Sequence, residues 1–363
     1  MNTTRRKFLK ISSLAVALPY IPFPAIAKEI SEGEWRFGII PDTQWANEMG
    51  VPFYGTAIHV VDAINTEMIR QKVDFVIEVG DLVEVSSAIA FQTRANHNKV
   101  LAENGIRFFP LRGNHDSIDL ESAAQFKAAF PDLPGTAGRE GSSPDLPNAA
   151  GMTYAFTHNN VKFICIDTFP LVDDGSTNGK AYTISDYLPW IESELQKNDH
   201  HFAFVFSHKN LLGQNHKDNF FSDNETNQDS HPAMQNAFFS CLQKYGVRYF
   251  ICGHDHMYHH SRIKSPDGFS ELEQIICGSA AHKFYLPRPP FLERETPIAQ
   301  ELNRIGFLIV RVKNDLIKTE YFSTEPFGTE PKTAVWELRD SFGYTLDGEK
   351  FGKSAEDMKH FSR

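Results

Sequence analysis

Arg107-Phe108-Phe109-Pro110-Leu111-Arg112 runs straight into Gly113-Asn114-His115-Asp116. The six mostly aromatic and aliphatic residues read as a strand, and the glycine with its polar successors reads as the turn that ends it. The same junction recurs four times: residues 35–41 lead to Asp42-Thr43-Gln44, 73–80 to Gly80-Asp81, 202–207 to His208, and 247–252 to Gly253-His254-Asp255-His256. Carboxylate, amide and imidazole side chains thus stand beyond the C-terminal ends of predicted strands, the place where ligands gather in α/β sheets.

Outward from these junctions the chain keeps alternating. Further strands are predicted over 153–157, 161–167, 272–277, 306–312 and 317–322. Apolar residues at helical spacing predict helices over 57–71, 89–104, 122–130, 185–197 and 232–245. The alternation places the chain in the α/β class. Residues 131–151, 214–230 and 287–297 read as loops from their Gly, Pro and polar content, and each exceeds the usual connection length, as functional or disordered segments do. No internal repeat or linker divides the chain, so residues 28–325 are expected to form one domain, with 326–363 a C-terminal extension packed on it.

Of the 363 residues, 41% are hydrophobic and 12% aromatic, enough for a sizeable core, which excludes wholesale disorder. Lys and Arg number 36 against 46 Asp and Glu, a net charge of −10, and no basic block occurs after the first ten residues. Nucleic-acid backbone binding is therefore not expected. The cysteines Cys165, Cys241, Cys252 and Cys277 lack the C-x-x-C spacing of a zinc ribbon or a thioredoxin-type pair. Three of them, Cys165, Cys252 and Cys277, lie in strand-like runs and read as buried small hydrophobes, with a Cys252–Cys277 disulfide left open.

At the N-terminus, Thr4-Arg5-Arg6-Lys7-Phe8-Leu9-Lys10 precedes an apolar run to Ala27 that ends in the small-x-small site Ala25-Ile26-Ala27. Pro19, Pro22 and Pro24 interrupt the run, which is also short for a bilayer span of roughly 20 residues. Residues 1–27 resemble a twin-arginine signal peptide. That likeness implies the twin-arginine export machinery as a partner, a periplasmic or secreted location, and no stable membrane insertion.

The ordered set of junctions between Phe37 and His256 resembles the calcineurin-like metallophosphoesterase superfamily, whose blocks read D-x-H, G-D-x-x, G-N-H-[DE], a lone His and G-H-x-H. The resemblance implies a four-layer sandwich, two packed mixed β-sheets flanked by helices, with every ligand at one end. It implies that Asp42, Gln44, Asp81 and His256 hold one divalent ion and that Asp81, Asn114, His208 and His254 hold a second, with Asp81 bridging. Two such ions activate a water and clamp an in-line phosphoryl displacement. Carboxylate, amide and imidazole donors suit Mn, Fe, Zn or Co. The resemblance implies that His115 protonates the leaving oxygen or stabilises its developing charge, and that Asp116 orients its imidazole.

Two departures from the family pattern stand out. Gln44 replaces the first-block histidine with a harder oxygen donor, and Asp81-Leu82-Val83-Glu84 lacks both the purple acid phosphatase tyrosine and the Asp-Arg-Gly of protein Ser/Thr phosphatases. The implied activity is hydrolysis of a phosphoester substrate, inclined to diesters because polar loops leave room for two ester arms. Phosphomonoesters, and a non-catalytic metal- or ligand-binding role, are the alternatives. Trp45, His259 and His282 are candidate substrate contacts, while Arg112 reads as half of a structural ion pair.

Overall fold

A computed structural model describes residues 33–44, 56–176, 178–222, 230–289, 293–327 and 334–352. In chain order its elements are Glu34–Ile40 (β1), Ile58–Gln71 (α1), Phe75–Glu78 (β2), Ala88–His97 (α2), Lys99–Glu103 (α3), Arg107–Pro110 (β3), Leu120–Ala129 (α4), Tyr154–His158 (β4), Val161–Ile166 (β5) and Ile184–Gln196 (α5). There follow Phe202–Ser207 (β6), Pro232–Lys244 (α6), Tyr249–Cys252 (β7), Met257–Lys264 (β8), Glu271–Gly278 (β9), Glu295–Glu301 (β10), Ile305–Lys313 (β11), Leu316–Thr324 (β12), Glu337–Thr345 (β13) and Lys350–Phe351 (β14).

The strands form two mixed seven-stranded sheets, ordered β14-β13-β12-β11-β1-β2-β3 and β10-β8-β9-β7-β6-β5-β4. Alternation along single strands explains the layering, since successive side chains point to opposite faces. In β6, Phe202, Phe204 and Phe206 enter the core between the sheets, whereas Ala203 and Val205 meet the outer apolar cluster. Ile184, Tyr187 and Ile191 of α5 and Phe238, Phe239 and Leu242 of α6 cover that outer face. On the far side, Ile40 and Ile309 turn outward onto Val60, Ile64 and Met68 of α1. The result is helix, sheet, sheet, helix. Residues buried on both strand faces read as continuous apolar runs, which is why these strands were legible.

Local signals set the helix ends. Asp119 accepts the Ser122 N–H at 2.8 Å to start α4, and Thr183 and Asp186 make a reciprocal capping box at α5. The single helix expected over 89–104 is two, α2 and α3, separated at Asn98. Asn98 accepts from Arg94, and Asn65 on α1 donates to the His97 carbonyl at 2.9 Å.

Four strands escaped the sequence pattern: β8, β10, β13 and β14. The predicted loop 287–297 overlaps the start of β10 at Glu295. Within the segment read as an extension, β13 pairs with β12 from Leu316 to Ser323, and its Phe342 and Tyr344 enter the core between the sheets. All four cysteines are free and buried, so Cys252 and Cys277 form no disulfide. The signal-peptide residues 1–27 lie outside the described residues.

The centre of the core is aromatic. Phe163 is fully buried, with the rings of Phe37, Phe75 and Phe156 at 5.1, 5.1 and 4.9 Å. Phe163→Ala is expected to lower unfolding free energy by about 3–5 kcal/mol through lost burial and a residual cavity, measured by denaturant titration.

Candidate metal centre

The parallel strands β1, β2 and β3 of one sheet and β6 and β7 of the other all end at the same edge of the sandwich. Asp42, Asp81, Asn114, His208 and His254 follow them within one to four residues. The turns there are tight. Asp81, His254 and His256 sit in the left-handed region at φ 54°, 72° and 46°. Non-glycine residues hold that conformation at a cost of order 1–3 kcal/mol each, and such residues cluster at functional sites. Gly113 must lack a side chain because a Cβ there would overlap the Asp81 carboxylate and amide.

Two groups of donor atoms, each within 4.8 Å of one another, lie in this space: Asp81, His208 and His254, and Asp42, Asp81 and His256. Asp81 belongs to both. His208 Nδ1 donates to the Val79 carbonyl at 3.0 Å, which leaves Nε2 as the acceptor. That Nε2 lies 3.1 Å from Asn114 Oδ1, 3.4 Å from Asp81 Oδ2 and 3.2 Å from His254 Nδ1. In the other group His256 Nδ1 donates to the Lys283 carbonyl at 3.1 Å, so Nε2 faces Asp42 Oδ1 at 3.6 Å and the Gln44 amide at 2.9 Å. Gln44 Oε1 is buried without a hydrogen-bond partner. Converging acceptors and an orphaned amide oxygen fit cations.

Electrostatics agree with that fit. Burial and the neighbouring Asp81 push the Asp42 carboxyl up to about 7, against the opposing pull of His208. Burial opposes ionisation of Asp81 too, but His208, His115 and His254 outweigh it and hold the group well below the carboxylate range. Burial disfavours the His208 imidazolium, yet Asp81 and Asp42 push it up to about 9. A buried cluster of this charge holds protons unless cations neutralise it.

His115 stands at the rim, with its backbone N–H on Asp81 Oδ1 at 2.9 Å. Its Nδ1 lies 2.7 Å from the Glu84 carbonyl. Asp116 does not orient this imidazole, contrary to expectation. Its buried carboxylate instead accepts the N–H groups of Leu82, Val83 and Gly113 at 3.0, 3.1 and 2.9 Å, stitching the Asp81 loop to the Asn114 loop. Backbone donors outcompete the ring because the two loops turn their amides inward together.

The structure places the candidate substrate contacts as follows. His259 is buried in β8, where Glu295 Oε1 at 3.0 Å and Gln300 Nε2 at 3.0 Å occupy both ring nitrogens. His282 turns its Nε2 to the Phe327 carbonyl at 2.7 Å and lies in neither donor group. Trp45 lies outside the described residues. Arg112 makes its structural ion pair with buried Asp167, at 2.7 Å.

Other residues at the site were missed. The Asp255 carboxylate accepts the N–H groups of Gln214, Asn215 and His216 and the His216 Nδ1–H, tying the 214–218 segment beside His254. The His216 ring stacks on His254 with centroids 4.0 Å apart, and Asp218 reaches His254 Nε2. The length of the 214–230 loop was the one sequence signal of this role.

A family model described as calcineurin-like phosphoesterase matches residues 36–258. The solved structure of PhoD is similar over 88% of this chain and 71% of that one, at 15% identity and a TM-score of 0.56. Purple acid phosphatase PPD1 from yellow lupin seeds is similar over 86% of this chain and 54% of that one, at 14% identity and a TM-score of 0.53. Both likenesses concern the fold. No curated protein matches the chain.

Gly113→Ala is expected to displace the Asp81 carboxylate and strip bound metal while the far end of the sandwich stays folded. Elemental analysis together with circular dichroism checks this; wild-type metal content in the variant contradicts it.

Proposed function

The chain belongs to the calcineurin-like phosphoesterase family, and from that premise we propose that it is an exported hydrolase of phosphoric esters that uses two divalent cations and favours diesters. The observation that carries this reading is Asp81, common to both donor groups. One cation would be held by Asp42, Gln44, Asp81 and His256, the other by Asp81, Asn114, His208 and His254. Bound there, the cations supply Lewis-acid charge to the phosphoryl oxygens and acidify the attacking water.

The chain's own residues do the rest. Asp81 and Asp42 accept the backbone N–H groups of His115 and His254, at 2.9 Å each, which locks the carboxylates in place before substrate arrives. Preorganised groups of this kind need no reorganisation during reaction. A carbonyl only accepts, so the Glu84 oxygen fixes the proton of His115 on Nδ1 and leaves Nε2 as the other nitrogen of a part-exposed ring. With a second proton on Nε2, the ring donates to the departing ester oxygen. The Glu84 carboxylate lies 3.8 Å from the same Nδ1.

The diester reading draws its support from the polar composition of residues 131–151 and 214–230 in the sequence. Export draws support from Arg5-Arg6 and the Ala25-Ile26-Ala27 site. Among the described residues no helix is long and apolar enough to cross a membrane. The test is a matched pair of substrates, bis(p-nitrophenyl) phosphate and p-nitrophenyl phosphate, on protein reconstituted with Mn, Fe, Zn or Co. Chelation should abolish turnover, and the diester should be cleaved with the higher kcat/KM. Full activity in metal-free protein overturns the function, and a monoester preference overturns the diester reading.

His115→Ala should lower kcat by about 10²–10⁴-fold on esters of simple alcohols and much less on nitrophenyl esters, whose leaving group departs unprotonated. Metal content should stay at the wild-type level. Steady-state kinetics across leaving groups of graded pKa check this, and equal losses across the series contradict the acid role.

A further inference from the structure

Of the three imidazoles in the donor groups, one is turned around. His208 and His256 point Nδ1 away from the cluster, to the carbonyls of Val79 and Lys283, and offer Nε2. His254 does the reverse: Nδ1 faces the cluster, 3.2 Å from His208 Nε2, and Nε2 lies 3.2 Å from Oδ1 of Asp218. The second oxygen of Asp218 is 3.1 Å from Lys209 Nζ, and the Lys209 side chain is itself buried. The geometry points to Asp218 as a positioning residue that fixes the tautomer and ring orientation of His254, so that Nδ1 is the metal-binding atom.

The physical reason is donor arithmetic. A carboxylate accepts, so a hydrogen bond to Asp218 puts the His254 proton on Nε2 and leaves the Nδ1 lone pair for a cation. The same contact makes the imidazole a stronger donor, and removing such partners typically costs 10–100-fold in metal affinity. His254 needs the help, because its backbone is left-handed at φ 72° and no backbone carbonyl holds its outer nitrogen among the described residues. Lys209 directly follows His208, so one strand end supplies both a candidate ligand and the cation that holds Asp218. The Asp255 bonds to 214–216 bring the segment within reach, and the stacked His216 ring limits rotation of His254.

This inference rests on the two-metal reading, and the test separates them. Zinc is titrated by competition with a chromophoric chelator into the purified protein and into Asp218→Ala and Asp218→Asn, with folding followed by circular dichroism. Wild type should bind two equivalents. Asp218→Ala should weaken one of them by about 10–100-fold and leave the other within about twofold, while Asp218→Asn, which keeps an acceptor oxygen, recovers most of the loss. Wild-type affinity for both equivalents in Asp218→Ala, or an equal loss from both, overturns the assignment. Failure of wild type to bind zinc at all overturns the two-metal reading instead. Nitrogen-15 NMR of the zinc-loaded wild type needs no variant to fold: a His254 ring protonated at Nε2 supports the assignment, and one protonated at Nδ1 overturns it.

Discussion

Asp81 is the side chain on which both halves of the site converge. It ends a strand of the first sheet, yet its carboxylate lies 3.4 Å from His208 of the second sheet and shares a donor group with His256. Its own carbonyl receives the N–H groups of Thr43 and Gln44 at 3.1 and 2.9 Å, so the loop that carries Asp42 hangs from the same residue. A carboxylate buried this deeply is costly without compensation. The left-handed backbone, the glycine beneath it and the facing histidines all serve to place it.

The site therefore depends on the distance between the sheets, and the aromatic core sets that distance. Phe37 and Phe75 of the first sheet meet Phe163 edge-on, and Phe163 stacks on Phe204 within the second. Buried charges secure the loops above. Glu78 pairs with Arg94 and accepts the Thr43 hydroxyl at 2.6 Å, which pins the residue between Asp42 and Gln44. Arg112 and Asp167 do the same beside Gly113. Removing one partner of such a pair typically costs about 3–5 kcal/mol because it strands a buried charge. Stability and site geometry are coupled through these pairs.

The strands that carry the ligands were legible because they are apolar on both faces and end in glycine or polar turns. β8 was not, since Met257-Tyr258-His259-His260-Ser261 looks polar until Glu295 and Glu273 on the neighbouring strands are seen to bond the Nε2 atoms of the two histidines. β13 hides for a related reason: Glu337, Leu338 and Arg339 are exposed, and only Asp340, Phe342, Gly343 and Tyr344 are buried. At the site, the residues that the structure gathers into two donor groups are ones the order of motifs along the chain had singled out. The part played by Asp116 did not, because its partners are backbone N–H groups that leave no trace in residue type. Asp218 lies ten positions after His208 in a long loop, and its reach to His254 depends on Asp255 folding that loop back.

The central claim is that a single carboxylate unites two metal positions. Metal content of Asp81→Ala, determined by elemental analysis after dialysis against trace metal and compared with wild type, tests it most directly. The account predicts two equivalents in wild type and loss of both in the variant, with the fold retained by circular dichroism. An Asp81→Ala protein that keeps either equivalent at wild-type affinity would contradict it.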